Sequence, residues 1–395
     1  MESPNKSYQP QVDEIRAAAA LLVFFFHSVI LGYWASGMTG WPPTGNPLVA
    51  VLLEGHSGVA LFMVLSGYIL AVGSLDREIS YRRFLLNRVL RIFPLMTFVT
   101  FFAFAGNSDL QLHNVLAPFL LVQNIQSIAL VDRTNLIGTV WTIAIEFQFY
   151  LIAPFLFRSV RKDGIVRFIL PLMLLVFVLR LFTLFPDLGS PEKLWAIPYF
   201  SIAGRLNQFL FGIAIAALLP KVRFRRPRLS GFAILAAGLA AMAFLSLALN
   251  RGGGQYIWQD WRFVHQELEG LFWAMAIAGY ILADPLRSLP LLRKVAIALG
   301  TISFSFYLLH WPVVTTAWKL LPDAGHQQRN AGDSVPDRRR AHPPGRHGPL
   351  RPFLLGDRAP LPRQAPPLRR VTPRGRGSPF AARTTRARDR SCGSP

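Results

Sequence analysis

The chain is a succession of apolar runs separated by short polar ones. Nine of these runs reach the roughly 18 residues that a helix needs to cross a bilayer core: 15–33, 57–74, 84–105, 139–157, 165–185, 199–219, 230–249, 267–284 and 295–318. A further apolar stretch, 115–125, is too short to cross and is expected to lie in the membrane interface. The pattern predicts an all-α integral membrane protein with about nine to ten transmembrane helices.

Lysine and arginine are concentrated in alternate loops. Segment 75–83 carries Arg77, Arg82 and Arg83, and 158–167 carries Arg158, Arg161, Lys162 and Arg167. Segment 220–229 carries Lys221, Arg223, Arg225, Arg226 and Arg228, and 285–294 carries Arg287, Arg293 and Lys294. Segments 34–56, 106–138, 186–198 and 250–266 are poor in both. By the positive-inside rule the N-terminus is expected in the cytoplasm. The first span is followed by others, so it is expected to be a retained helix rather than a cleaved signal.

The expected organisation is a short cytoplasmic N-terminus (1–14), a transmembrane domain (15–320) and an Arg/Pro-rich tail (321–395). Residues 322–395 contain no Ile, Lys, Glu, Met, Trp or Tyr. After nine spans this tail should lie outside, yet it is the most basic part of the chain. It reads either as a disordered basic tail or as the product of a reading frame lost near 319–336, which would remove a tenth helix.

Composition narrows the function. Hydrophobic residues make up 52% of the 395, which fits a polytopic membrane protein. The net charge of +21 invites a nucleic-acid reading, but sixteen Arg and five Asp give the tail +11, and the remaining +10 lies mostly in the loops between spans. That is a topology pattern, so no nucleic-acid partner is expected. Cys392 is the only cysteine, and the polar groups within the spans are too few and scattered to suggest a metal.

Three ionisable groups sit inside apolar runs: His27, Glu146 and His310. Such placement costs several kcal/mol and points to function. At helical rise Glu146 and His310 lie ~10 and ~12 Å from the outer ends of their spans, and His27 lies in the outer half of its own, so the three are expected to converge in the outer half of the membrane. A histidine beside a carboxylate is a competent general base for a hydroxyl. His27 also reads as a buried histidine bonded to a neighbouring helix, and Glu146 as an ion-pair partner of Arg205. Arg16 shares a helix face with His27, ~16 Å away toward the cytoplasmic end, and is either a ligand group or a snorkelling topology charge. Arg88 and Arg91, adjacent on one helix face, suit phosphate through bidentate hydrogen bonds or serve topology alone. Ser66 and Gly67 admit a neighbouring backbone or a narrow ligand chain. His56, at the outer interface, is not expected to be essential.

Several segments together resemble the membrane acyltransferase-3 family, the bacterial O-acyltransferases of polysaccharides and antibiotics. They are Asp13–Arg16 followed by His27; Gly58–Tyr68; Arg88–Pro94; Asn124 with Trp141-Thr-x-x-x-Glu146-x-Gln-Phe-Tyr150 and Pro154; Arg205-x-x-Gln-Phe-x-x-Gly212; and Ser305–Pro312 containing Tyr307 and His310. They stand in the family's order over residues 13–312. Beyond about residue 320 the chain departs from the family's tenth helix and short basic cytoplasmic end.

The resemblance implies transfer of an acyl group, usually acetyl, from acyl-coenzyme A to a hydroxyl of a saccharide or glycan, in the bacterial inner membrane. It makes acyl-CoA a substrate and implies no bound cofactor. In this reading His27 is the base, Glu146 orients or charge-balances a histidine, and His310 lines the acceptor pocket. Arg16, Arg88 and Arg91 meet the coenzyme A phosphates, and Ser66, Trp141 and Arg205 are further substrate-binding candidates. A transporter or flippase of glycan intermediates is the competing class, with the buried charges as a proton relay. It would need no acyl donor. The acceptor, the acyl chain length and the oxyanion donor are not encoded in any motif.

Overall fold

A computed structural model describes residues 8–105, 119–121, 124, 139–184, 191–257 and 260–320. The Arg-rich tail, the segment proposed for frame loss beyond residue 320, and most of 115–125 lie outside the described residues. Among those described, the elements are helices and turns with no strand. This is what a bilayer demands, since a helix satisfies its own backbone.

The principal helices are α1 (Pro10–Ala35), α2 (Pro47–Leu53), α3 (Gly58–Val72), α4 (Tyr81–Ala105), α5 (Trp141–Gly164) and α6 (Leu170–Leu184). There follow α7 (Pro191–Phe200), α8 (Ile202–Leu218), α9 (Pro227–Arg251), α10 (His265–Ala283), α11 (Pro290–Thr301) and α12 (Ser303–Leu320). Local chemistry sets several starts. Pro10 sits in the first turn of α1, where a missing N–H costs nothing. Asn46 caps α2 by accepting from the Leu48 amide at 2.9 Å, and Ser201 Oγ caps α8 by accepting from the Gly204 amide at 3.1 Å.

Six helical stretches among the described residues are long and apolar enough to cross a membrane, and seven if the pair α11/α12, bent by 72°, counts as one span. The nine predicted runs differ for two physical reasons. Runs 139–157 and 165–185 form one 44-residue helical stretch, Trp141–Leu184. At 1.5 Å per residue that is ~66 Å, about twice a bilayer core. Its backbone leaves helical geometry at Gly164, whose φ of 77° favours glycine. The predicted loop 158–167 is thus helical to Gly164 and breaks there. Run 267–284 does fold as α10, but its first turn carries His265, Gln266 and Glu267, so it falls short of an uninterrupted apolar span.

Packing relies on close helix approach. A Cβ on Gly67 of α3 would lie 2.1 Å from the Phe209 carbonyl oxygen of α8, and one on Gly212 would lie 2.0 Å from that of Val64. Only glycine fits there, as is common where lipid offers no hydrophobic drive between helices. The N-terminal end of α1 is fixed by polar contacts. Glu14 Oε1 pairs with Arg293 of α11 at 2.8 Å, while its Oε2 accepts from the Tyr280 hydroxyl of α10 at 2.8 Å. Further along, Trp318 Nε1 of α12 donates to the Ser28 carbonyl at 3.2 Å. These ties hold α1 against α12 where both carry a histidine.

Candidate functional site

His27 on α1 and His310 on α12 meet, with His310 Nε2 2.9 Å from His27 Nδ1. His310 Nδ1 faces the Tyr307 carbonyl, one turn earlier on its own helix. A carbonyl only accepts, so in the neutral pair His310 Nδ1 carries the proton. His310 Nε2 is then a lone pair and must accept from His27 Nδ1–H. The Val23 carbonyl, one turn earlier on α1, is a second acceptor for the His27 ring. With Nδ1–H serving both acceptors, His27 Nε2 keeps the lone pair a general base requires. His310 is 3% exposed and His27 half-buried, and Trp311 packs edge-on against the His27 ring at 4.9 Å.

A cavity of about 860 Å³, counting its open mouth, reaches this pair only through Tyr307. Neither His27 nor His310 is among its lining residues, so the expected convergence of both histidines with Glu146 in one pocket is not seen. Arg16 of α1 lines it together with Arg88 and Arg91 of α4. Arg16 Nη1 pairs with Asp13 at 2.8 Å. The Arg88 guanidinium lies over the Phe84 and Tyr150 rings at 5.4 and 5.5 Å, which fixes its direction. Its Nε is buried and has no hydrogen-bond partner among the described residues. Arg16 and Arg91 are close enough to repel one another. Three guanidiniums therefore share a recess whose nearby carboxylates are Asp13 and Glu146, an arrangement that favours an anion.

Glu146 lines the same cavity. Its Oε1 accepts from Ser66 Oγ at 3.0 Å and from the Tyr150 hydroxyl. The sequence reading paired Glu146 with a histidine, or with Arg205; the structure pairs it with Ser66 and Tyr150. Arg205 is instead bound to Glu269 at 3.0 Å, both 1% exposed. It donates to the Tyr199 carbonyl at 2.9 Å, with the Tyr199 ring 4.4 Å away and that of Trp141 6.0 Å away. Arg205 and Trp141 thus belong to a buried ion-pair cluster outside the cavity lining.

Tyr307 joins the two halves of the site. It lines the cavity, its ring lies 5.5 Å from that of His310, and its hydroxyl is 3.0 Å from Thr142 Oγ1. Thr142 Oγ1 donates to the phenol oxygen, and the phenol's own proton faces the Thr139 carbonyl at 3.5 Å, a long contact that leaves it available to another acceptor. Both Tyr307 and Tyr150 stand in the quoted motifs, but neither was given a role in the site. Their signal was spacing, three residues before His310 and four after Glu146, which places each beside a polar neighbour on its own helix. Asn124 and Gln148, also in the quoted motif, hydrogen-bond each other at 3.0 Å. Among the described residues no group of three or more His, Cys, Asp or Glu could hold a metal.

Comparison with known proteins places this geometry. The model of the acyltransferase-3 family, described as an acyltransferase domain, matches residues 9–336. The chain is 27% identical over 350 residues to the acyltransferase MdmB of Streptomyces mycarofaciens, covering 79% of this chain and 80% of that one. It is 23% identical over 350 residues to the peptidoglycan O-acetyltransferase OatA of Listeria monocytogenes, covering 80% of this chain and 51% of OatA, so it spans about half that relative's length. No solved structure matches. The cavity-lining residues and both histidines fall inside the matched segment, and the chain belongs to the acyltransferase-3 family, with acyl transfer as its reaction class.

Proposed function

We propose that this protein transfers an acyl group, acetyl in the first instance, from acyl-CoA to a hydroxyl of a saccharide or glycan in the bacterial cell membrane. The observation that carries this reading is the pairing, on one helix, of an arginine-lined cavity at Arg16 with a histidine pair at His27. Eleven residues separate the two, ~16 Å at helical rise. A pantetheine arm has the length of about three to four extended residues, ~10–14 Å. Diphosphate at Arg16, Arg88 and Arg91 would thus bring the thioester close to the histidines. Glu146, an acceptor in the cavity wall, suits the amide N–H groups of the arm.

The step balances as follows. His27 Nε2 removes the acceptor hydroxyl proton as its oxygen attacks the thioester carbonyl. Tyr307 is the proposed donor to the tetrahedral oxyanion. Collapse breaks the C–S bond, the leaving thiolate takes the proton from His27, and an ester and coenzyme A result. His310, rather than Glu146, orients His27 and accepts from its Nδ1–H while the ring is charged. With the basic loops in the cytoplasm, the donor would enter from that side and the acceptor from the other.

The test is release of coenzyme A thiol by purified protein in liposomes supplied with acetyl-CoA and a saccharide acceptor. Acceptor-dependent release together with a saccharide ester is expected. Movement of the saccharide across the liposome wall without any ester would overturn the reading in favour of a transporter.

A further inference from the structure

A second recess, of about 630 Å³ including open space, lies where α3 ends and α5 continues past the cavity. Its lining includes Ser74, Arg77 and Glu78 from one segment and Pro154, Arg158 and Arg161 from another. Both walls continue those of the arginine-lined cavity. Leu70 lines the cavity and Ser74 the recess, and likewise Tyr150 the cavity and Pro154 the recess. On α5 this step is four residues, ~6 Å, while Ser74 stands just past the end of α3 at Val72. The recess thus lies about one turn beyond the cavity along α5, against the end of α3.

Its charge is directed. Arg158 and Arg161, three apart on α5, share one face. Arg77 Nε donates to the Gly73 carbonyl at 2.7 Å, which anchors that side chain at the end of α3. Three guanidiniums face a single carboxylate, Glu78, so the recess favours a ligand with about two negative charges. A phosphomonoester carries about −1.5 to −2 near neutral pH and matches arginine bidentately. Topology explains why loops are basic. It does not explain why a loop and the end of α5, more than seventy residues apart, place their arginines around one recess in line with the cavity.

We propose that this recess binds a phosphomonoester, the 3′-phosphate on the ribose of the acyl-CoA donor, while Arg16, Arg88 and Arg91 take the diphosphate. The proposal rests on the acyl-CoA reading above. It makes the donor site bipartite, with the adenosine end selecting full coenzyme A over its dephospho form. An anionic lipid headgroup offers the same phosphate chemistry and is the rival occupant.

The experiment compares acetyl-CoA with acetyl-dephospho-CoA in phosphatidylcholine nanodiscs. The wild type is expected to show a KM on the order of tenfold higher for the dephospho donor. The double variant Arg158→Ala/Arg161→Ala is expected to bring the ratio of the two KM values toward one. Equal KM values in the wild type overturn the proposal. So does a variant that alters only the response to added phosphatidylglycerol, since the occupant is then lipid. Binding of adenosine 3′,5′-bisphosphate against adenosine 5′-monophosphate separates the two readings. Preference for the bisphosphate with no turnover of either donor keeps the recess and rejects the acyl-CoA reaction, whereas turnover with no preference does the reverse.

Discussion

His310 Nε2 and His27 Nδ1 stand 2.9 Å apart although 283 positions separate them in the chain. One hydrogen-bond direction satisfies both rings, because the Tyr307 carbonyl forces the His310 tautomer. His310 then takes the place that a carboxylate often holds behind a catalytic histidine. A neutral ring in that place orients its partner without adding a buried charge.

This arrangement predicts a graded response at position 310. His310→Ala should lower kcat by about 10- to 100-fold while leaving the donor KM near its original value. His310→Gln keeps an acceptor for His27 Nδ1–H and should recover part of the loss. Steady-state kinetics on the two variants check this. Equal loss in both, with an unchanged pH profile, would reduce His310 to a packing residue.

The donor cavity predicts a binding phenotype. Arg88→Ala should raise the KM for acetyl-CoA by roughly tenfold, the effect of losing one charge-assisted contact. Arg88→Lys should recover little, because the guanidinium sits against both the Phe84 and Tyr150 rings and its Nε is buried. Isothermal titration with coenzyme A reads both variants directly.

Arg205 was a substrate-binding candidate by motif, and the structure gives it a different duty. Removing one partner of a buried ion pair leaves an uncompensated charge and costs about 3–5 kcal/mol. Arg205→Ala should therefore cost folded protein rather than change a KM. Replacing both partners, Arg205→Met with Glu269→Leu, should restore much of the thermal stability in detergent. A well-folded Arg205→Ala protein with a raised KM would return Arg205 to the substrate site.

A pH dependence follows from Glu54, which lies just before α3 and is 1% exposed. Burial pushes its carboxyl up to about 8, against the opposing pull of Asn250, Trp41 and Arg262. The unfolded chain releases this proton near the ordinary 4.5. Stability from the protonated form is thus complete below that value and is lost as pH rises toward 8. Glu54→Gln should match the parent at pH 4.5 and gain on it up to pH 8. The gain is bounded by about 1.4 kcal/mol per pKa unit. Thermal melts across that range check the trend, and a constant difference between the two proteins would contradict it.

Much of the frame was legible in the sequence, because hydropathy reports immersion. Apolar runs marked α1, α3, α4, α8 and α9, and the eleven-residue spacing put Arg16 and His27 on one face. Immersion does not say which helices are neighbours. The partner of Glu146 was assigned by charge, yet two hydroxyls, from Ser66 on α3 and Tyr150 one turn along α5, provide its hydrogen bonds. Arg205 found Glu269 because α8 and α10 pack together, a relation no local pattern records. The break at Gly164 was hidden because the basic run 158–163 is itself a good helix former.

The central claim is that His27 Nε2 is the base for acyl transfer from coenzyme A. The direct measurement is incorporation of radiolabelled acetyl from acetyl-CoA into the saccharide fraction, by wild type and His27→Ala protein at equal folded amounts. The account predicts labelled ester from the wild type and at least ~10²-fold less from the variant. Undiminished labelling by His27→Ala would contradict it.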